Sequence, residues 1–234
     1  MAILAVSEGT AAQTTAQTLE VAKPASLVND NYMVMVATTV ASGTPLDISV
    51  NEAKAWTLVK QEQMSAGLDG TLAVFYRKID GTETTNITVD ITGGVDRQIT
   101  AAISQYSGVD LTTALDATAT STTDQNTTDY DPPAITTVTA NAFVLTALYG
   151  RVATIGTPNA PSGYTKFGSD ASTNAYTAMS YIDAGTAGSK NPGVWASFNG
   201  ASDCMGITMA LRPAAGGSGS IPIIQHHRNL IGAR

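Results

Sequence analysis

The sequence predicts an all-β protein, a jelly-roll-like antiparallel β-sandwich. Charged residues make up only 13% of the 234 residues, whereas 43% are hydrophobic and 21 are glycine. Surface helices need many Glu, Lys and Arg side chains, so this composition favours strands joined by turns. A chain of this length and hydrophobic content can also bury a large core.

Five segments in the first half alternate apolar and polar residues between turn residues, as half-buried strands do. They are NYMVMVATTV (31–40), AWTLVKQE (55–62), TLAVFYRKI (71–79), TNITVDIT (85–92) and RQITAAISQYS (97–107). The pair Asp80 and Gly81 separates two of these segments and is a common turn sequence. We therefore expect five strands here.

The second half repeats this order. ANAFVLTALYG (140–150) resembles NDNYMVMVATT, NAPSGYTKFGSD (159–170) resembles NEAKAWTLVKQE, and AYTAMSYIDAGT (175–186) resembles TLAVFYRKIDGT. The alignment matches Trp56 to Tyr164 and Tyr76 to Tyr181, and then matches GVWASF (193–198) to NITVDI and CMGITMALRP (204–213) to QITAAISQYS. A period of about 105 residues is too long for a solenoid.

The repeat predicts two similar halves of one closed sandwich with their inward faces packed together. Two independent small domains are the alternative. The predicted organisation is an extended N-terminal arm (1–17), a sandwich (18–214) with halves at about 18–110 and 134–214, a linker (111–133) and a C-terminal arm (215–234).

The linker is rich in Thr, Asp and Asn and contains Pro132 and Pro133, so we expect an exposed connection rather than a central strand. Its aspartates could be considered as calcium ligands, but they lack the spacing and closing Glu of a calcium loop. They are Asp116, Asp124, Asp129 and Asp131. We predict a solvated loop and no metal site.

Charge and sequence patterns argue against several function classes. The net charge of −7 disfavours nucleic acid as a partner, and no run of about 18 apolar residues predicts a membrane span. The first residues lack the basic start of a signal peptide, so synthesis in a cytoplasm is expected.

Enzyme signatures are also missing from the sequence, which has no GxSxG, no P-loop and no histidine outside the C-terminal arm. Four carboxylates could pair as in a glycosidase, although exposed charges that keep the surface soluble are the simpler interpretation. They are Asp80, Glu83, Asp90 and Asp96. We predict a protein that is not an enzyme and needs no cofactor.

The C-terminal arm is the segment with the most functional content. GGSGS (216–220) predicts a flexible spacer, and the apolar and basic sequence IPIIQHHR follows at 221–228. Pro222 disfavours a helix, so the isoleucines form an extended apolar strip that could add to the sheet edge of a neighbour. The predicted contact residues are Ile221, Ile223, Ile224, His226, His227 and Arg228.

Several motifs resemble a group of bacteriophage structural proteins. SQYSGVD (104–110) is similar to a motif that closes the first half of their β-sandwich, and LEVAKPASLVNDNYMVMVATT (19–39) is similar to their opening segment. Trp56-Thr57-Leu58, Gly163-Tyr164-Thr165 and MALRPA (209–214) also match. The resemblance covers about residues 18–214.

The resemblance implies a virion protein that is assembled in the bacterial host cytoplasm. The expected function is capsid decoration or cementing, with the major capsid protein, other virion subunits and further copies of the chain (a homo-oligomer) as partners. The alternative is a tail or fibre module that binds host surface glycan, with Tyr130 and Trp195 as contacts. Tyr130 and Tyr149 lie in expected turns and are predicted to be exposed.

Overall fold

In the part of the chain that the structure describes, the strands pair antiparallel. The computed structural model describes residues 2–9, 12–41, 43–52, 55–65, 69–93, 95–151, 158–171, 175–198, 200 and 202–215. These residues form sixteen strands and no helix. The predicted all-β sandwich is therefore confirmed, whereas the jelly-roll pattern of connections stays a prediction.

The first half consists of one large and one small sheet. Its strands are β1 (Leu4–Glu8), β2 (Ala12–Ala16), β3 (Thr18–Ala22), β4 (Tyr32–Val40), β5 (Ile48–Asn51), β6 (Thr57–Met64), β7 (Gly70–Lys78), β8 (Asn86–Ile91) and β9 (Arg97–Ser107). The first sheet has the order β1-β9-β4-β7-β6, and β2 also pairs with β9. The strands β3-β8-β5 form the first outer sheet. All five strands predicted for this half are present.

The second half has the same plan. Its strands are β10 (Leu115–Thr127), β11 (Ile135–Thr137), β12 (Phe143–Arg151), β13 (Thr165–Ala171), β14 (Ala175–Asp183), β15 (Gly188–Lys190) and β16 (Ser202–Leu211). The second sheet has the order β10-β16-β12-β14-β13, and β11 with β15 forms the second outer sheet.

The strand orders confirm the repeat between the two halves. Strands β9, β4, β7 and β6 occupy the same places in the first sheet as β16, β12, β14 and β13 in the second. Thr57 pairs with Tyr76, and Thr165 pairs with Tyr181. The alignment that matched the two tyrosines is therefore correct.

The sequence alignment is wrong at two later points. Tyr106 and Leu211 hold equivalent positions, because they pair with the equivalent first residues of β4 and β12. The sequence alignment matches Leu211 to Gln105 instead and is therefore wrong by one residue. A shift of one residue exchanges the two faces of a strand. GVWASF forms no strand like β8, since only Trp195 and Ala196 make isolated bridges.

The core lies between the first and second sheets, whose inward faces pack together as predicted. Tyr106 contacts Phe143 at 5.6 Å between ring centroids, and Phe143 stacks on Tyr181 at 4.8 Å. Contacts across the interface are reciprocal: β6 lies against β16, and its equivalent β13 lies against β9. Such reciprocity is typical of two copies related by a two-fold axis.

The two outer sheets make the molecule a stack of four layers. In the first half, Leu19 and Ile87 of the outer sheet pack on Met33 and Phe75 of the first sheet. In the second half, Ile135 packs on Val144 and Ala210. The central strands are therefore covered on both faces, and all ten residues of β16 are buried. This differs from the half-buried strands that the alternating patterns predict, because the outer sheets cover the faces that were expected to be exposed.

The predicted N-terminal arm is not free of the body. Residues 4–8 and 12–16 are the strands β1 and β2, and both pair with β9. Ile3 is buried, whereas Leu4 and Val6 face solvent. The threonine- and alanine-rich sequence is thus an edge of the first sheet, a place where polar residues are tolerated and threonine is favoured.

The predicted linker also contains a strand. Residues 115–127 form β10, which pairs with β16 at the edge of the second sheet. Its pairing shifts register at three points, and Pro132 and Pro133 follow the strand. An edge strand with one exposed side accommodates the polar sequence that excludes a central strand.

The outward face of the second sheet contains a buried row of hydroxyl groups. Thr146 pairs with Ser180 on one side and with Thr208 on the other, and all three residues are fully buried. None of the three hydroxyls has a hydrogen-bond partner within the described ranges. The equivalent row of the first sheet is apolar and consists of Met35, Phe75 and Ile103.

We expect Thr146→Val to raise the free energy of unfolding by about 1 kcal/mol, because a buried hydroxyl without a partner destabilises the folded state. The matched control is Thr177→Val, whose hydroxyl bonds to Thr38 at 2.5 Å between the two sheets. That variant should lose about 1 kcal/mol or more. Urea denaturation measures both values. Equal losses in the two variants would mean that the Thr146 hydroxyl is bonded, for example to internal water.

Candidate functional site

The predicted contact residues lie outside the described residues. Ile221, Ile223, Ile224, His226, His227 and Arg228 follow Ala215, the last residue described. Their assignment as contacts stays a prediction. The structure does place Ala215, the residue that precedes this segment.

Both ends of the described chain lie at one end of the molecule, which we call the junction end. Ala2 and Ala215 line the same groove of about 400 Å³, together with the turn 139–141. Three exposed apolar side chains lie in the segments that form this end: Leu4, Leu111 and Val138. The junction end therefore contains both ends of the described chain and several exposed apolar side chains.

The SGVD part of the motif at residues 104–110 lies at the junction end. Gly108 has a φ of 76°, and a Cβ placed on it would lie 2.3 Å from the carbonyl oxygen of Ala2. Val109 forms a bridge with Pro213, and the amide of Ala214 donates to the carbonyl of Gly108 at 2.8 Å. The motif thus connects the end of the first half to the end of the second.

The RPA part of the second motif is the direct partner of SGVD. The amide of Asp110 donates to the carbonyl of Arg212 at 2.9 Å. The Asp110 carboxylate accepts bonds from the amides of Thr113 and Thr112, which hold its pKa below the ordinary value. Two motifs about a hundred residues apart in sequence are therefore parts of one structural joint.

Asp116 is a buried carboxylate that ties the β11–β12 turn to this joint. It accepts bonds from the amides of Val138 at 2.6 Å and Thr139 at 3.1 Å, and Arg212 Nε lies 3.5 Å away. Burial opposes ionisation of Asp116, but the hydrogen bonds and the arginine keep its pKa below the ordinary value. Its carboxylate thus has a structural role.

Two of the four carboxylates considered as a catalytic pair come together, but around an arginine. Arg77 binds Glu83 at 3.2 Å and Asp80 at 3.4 Å, and it binds Glu52 at 2.5 Å. Trp56 Nε1 donates to Glu52 at 2.8 Å. The side chains of Arg77, Glu52 and Glu83 are almost fully buried, so this cluster fastens the loop after β7 to the body.

The prediction that Tyr130 and Tyr149 are exposed is wrong. Both are fully buried, as is Trp195. Tyr130 bridges to Trp195 and its hydroxyl donates to the carbonyl of Thr122 at 2.8 Å, while Tyr149 lies in the core between the two sheets. Neither Tyr130 nor Trp195 can therefore contact a glycan at the surface of this structure.

The described residues contain neither a metal-binding cluster nor a membrane-spanning helix. No three His, Cys, Asp or Glu side chains in the described part of the chain lie close enough together to hold a metal ion. That part also contains no helix long and apolar enough to cross a membrane.

Comparisons with known proteins found no relative. None of the protein-family models matches the chain, and neither the curated proteins nor the solved structures contain a match.

We expect Gly108→Ala to lower the free energy of unfolding by about 2–4 kcal/mol, because the new methyl group would collide with Ala2 and the positive φ disfavours alanine. The control is Gly185→Ala, which has a φ of 62° and open space around it. That variant should lose only about 1 kcal/mol. Thermal and urea denaturation compare the two, and a similar loss in both would show that the contact with Ala2 contributes nothing.

We expect Asp116→Asn to lower the free energy of unfolding at pH 7 by about 1–3 kcal/mol, since it removes a charged acceptor from a buried network. A carboxyl whose pKa is lowered on folding stabilises the protein above its ordinary pKa, and this stabilisation disappears as the pH falls through the folded value. The two proteins should therefore differ most at pH 7 and least near pH 2. Urea denaturation at pH 7, 4 and 2 measures this, and a pH-independent difference would contradict it.

Proposed function

We propose that this chain is a non-enzymatic structural protein of a bacteriophage virion. Its role is to decorate or cement the capsid by binding the major capsid protein and neighbouring subunits through the C-terminal arm (215–234). The resemblance of the motifs at residues 104–110 and 209–214 to those of phage structural proteins supports this assignment. In the fold, the two motifs contact each other.

The observation that carries the proposal is that both ends of the described chain lie at the junction end. Ala215, which precedes the arm, lines a groove together with Ala2, and the segments that form this end contain the exposed Leu4, Leu111 and Val138. A glycine- and serine-containing spacer at 216–220 then separates the body from the apolar and basic residues 221–228. A body with an apolar end and an adjacent tether suits attachment to a repeated surface, where many copies of a weak contact add up.

The charge distribution supports the same role. The chain has 12 basic and 19 acidic residues, yet the arm contains Arg228 and Arg234 together with both histidines. The arm is thus complementary to acidic surfaces, including those of neighbouring copies.

The two residues named as contacts in the glycan-binding alternative are not exposed. Tyr130 and Trp195 are buried, and their substitution would disrupt packing rather than a binding surface. No described feature favours that alternative over a cement role.

We expect deletion of residues 216–234 to leave the body folded, because the four layers lie within residues 2–215, and to abolish attachment to purified particles. The measurement is quantitative mass spectrometry of sedimented particles, which gives the copy number relative to the shell protein. A full-length variant with Ile221→Ser, Ile223→Ser and Ile224→Ser should fail in the same way. The spacer variant Gly217→Ser should attach normally. Full occupancy by the truncated chain would refute the arm as the attachment site.

A further inference from the structure

The second half has an open pocket at the junction end, beside the second outer sheet. Its volume is about 290 Å³, and its apolar part is formed by Tyr164, Ile182, Ala184 and Pro192. Ser189 and Lys190 of β15 form one edge. Tyr164 and Ile182 are only half-buried, so an apolar surface is left accessible.

The first half fills the same place with its own side chains. The registers of the two sheets make Trp56 equivalent to Tyr164 and Arg77 equivalent to Ile182. Trp56 and Arg77 both bind the Glu52 carboxylate, which is buried between them. Ile182 cannot make such an ion pair. At this place the first half has a buried ion pair, whereas the second half has an open pocket with apolar side chains.

In the part of the chain that the structure describes, the outer sheet next to the pocket has two strands, whereas the first outer sheet has three. In the first half β8 pairs with β3 on one side and with β5 on the other. Its counterpart β15 pairs only with β11 among the described strands. A strand edge that has no partner among the described residues, next to an apolar pocket, is the arrangement that binds extended peptides by strand addition.

The sequence of the chain supplies an apolar segment, residues 221–224, after a short spacer that follows Ala215. Ala215 contacts the same groove as Asn141, whose amide donates to the Gly185 carbonyl at 2.5 Å. The amide of Ala184 donates in turn to Ala142, so the turn 139–142 separates the chain exit from the pocket. Six extended residues span about 20 Å, which is enough for residues 216–221 to cross one turn.

We propose that residues 221–224 of the chain's own arm dock in this pocket, with isoleucine side chains against Tyr164 and Ile182 and the backbone along β15. The short spacer gives the segment a high effective concentration at its own pocket. The free subunit therefore carries its arm folded back on the body. This inference does not depend on attachment to a particle, since it concerns the isolated chain.

The test is disulfide trapping in the full-length protein, whose one cysteine, Cys204, is buried. Ile224→Cys is combined with Ser189→Cys at the pocket edge or with Thr186→Cys, an exposed residue outside the pocket and nearer to the chain exit. Because a disulfide needs a close and specific approach of the two residues, docking should give at least about ten times more intrachain bond with Ser189→Cys. Adding Ile221→Ser and Ile223→Ser should remove the preference.

A second measurement needs no cysteine substitutions. Docking should slow hydrogen exchange at residues 188–190 in the native chain compared with the variant Ile221→Ser, Ile223→Ser, Ile224→Ser. Equal trapping at positions 186 and 189 together with unchanged exchange would overturn the pocket as the docking site. A bond formed mainly between chains would overturn docking on the chain's own body. Either result leaves the particle attachment test unaffected, because that test measures occupancy on the capsid.

Discussion

The structure depends on the burial of two large sheet faces against each other. The aromatic cluster around Tyr106 and Phe143 lies in this interface, and residues from both sheets share one apolar core. Neither half could keep its inward face in water, because burial of such apolar area is the main stabilising contribution to a folded domain. The two halves are therefore one folding unit with a repeated plan, and the alternative of two independent domains does not fit this shared core.

Local sequence predicted the strands well where periodicity and turn residues agreed, as in residues 31–40 and 97–107. It failed for β1, β2 and β10, because a threonine-rich sequence suits both an exposed connection and an edge strand. Only the availability of a partner such as β9 or β16 decides between the two. The repeat itself was visible because both halves keep the same sequence of strands.

Side-chain environments were harder to predict, since they depend on residues far away in the chain. Tyr130 lies in a turn-like sequence but is buried beside its bridge partner Trp195, which belongs to a distant segment of the chain. Glu52 was not singled out, because its partner Arg77 is 25 residues away and on another strand. SGVD and RPA are visible in the sequence as parts of two separate motifs. Their contact with each other is evident only from the fold.

Both ends of the described chain lie at the same end of the molecule, so the two ends of the molecule differ in structure. Ala2 and Ala215 lie at the junction end. Arg151 and Asp69 meet at the opposite end, where the Arg151 side chain donates to the Asp69 carbonyl at 2.9 Å. Any support that holds the chain by its termini therefore turns the loop residues 43–47 and 92–93 outward. Those loops are the natural place for displaying a foreign peptide, because an insertion there lies a full strand length from the point of anchorage.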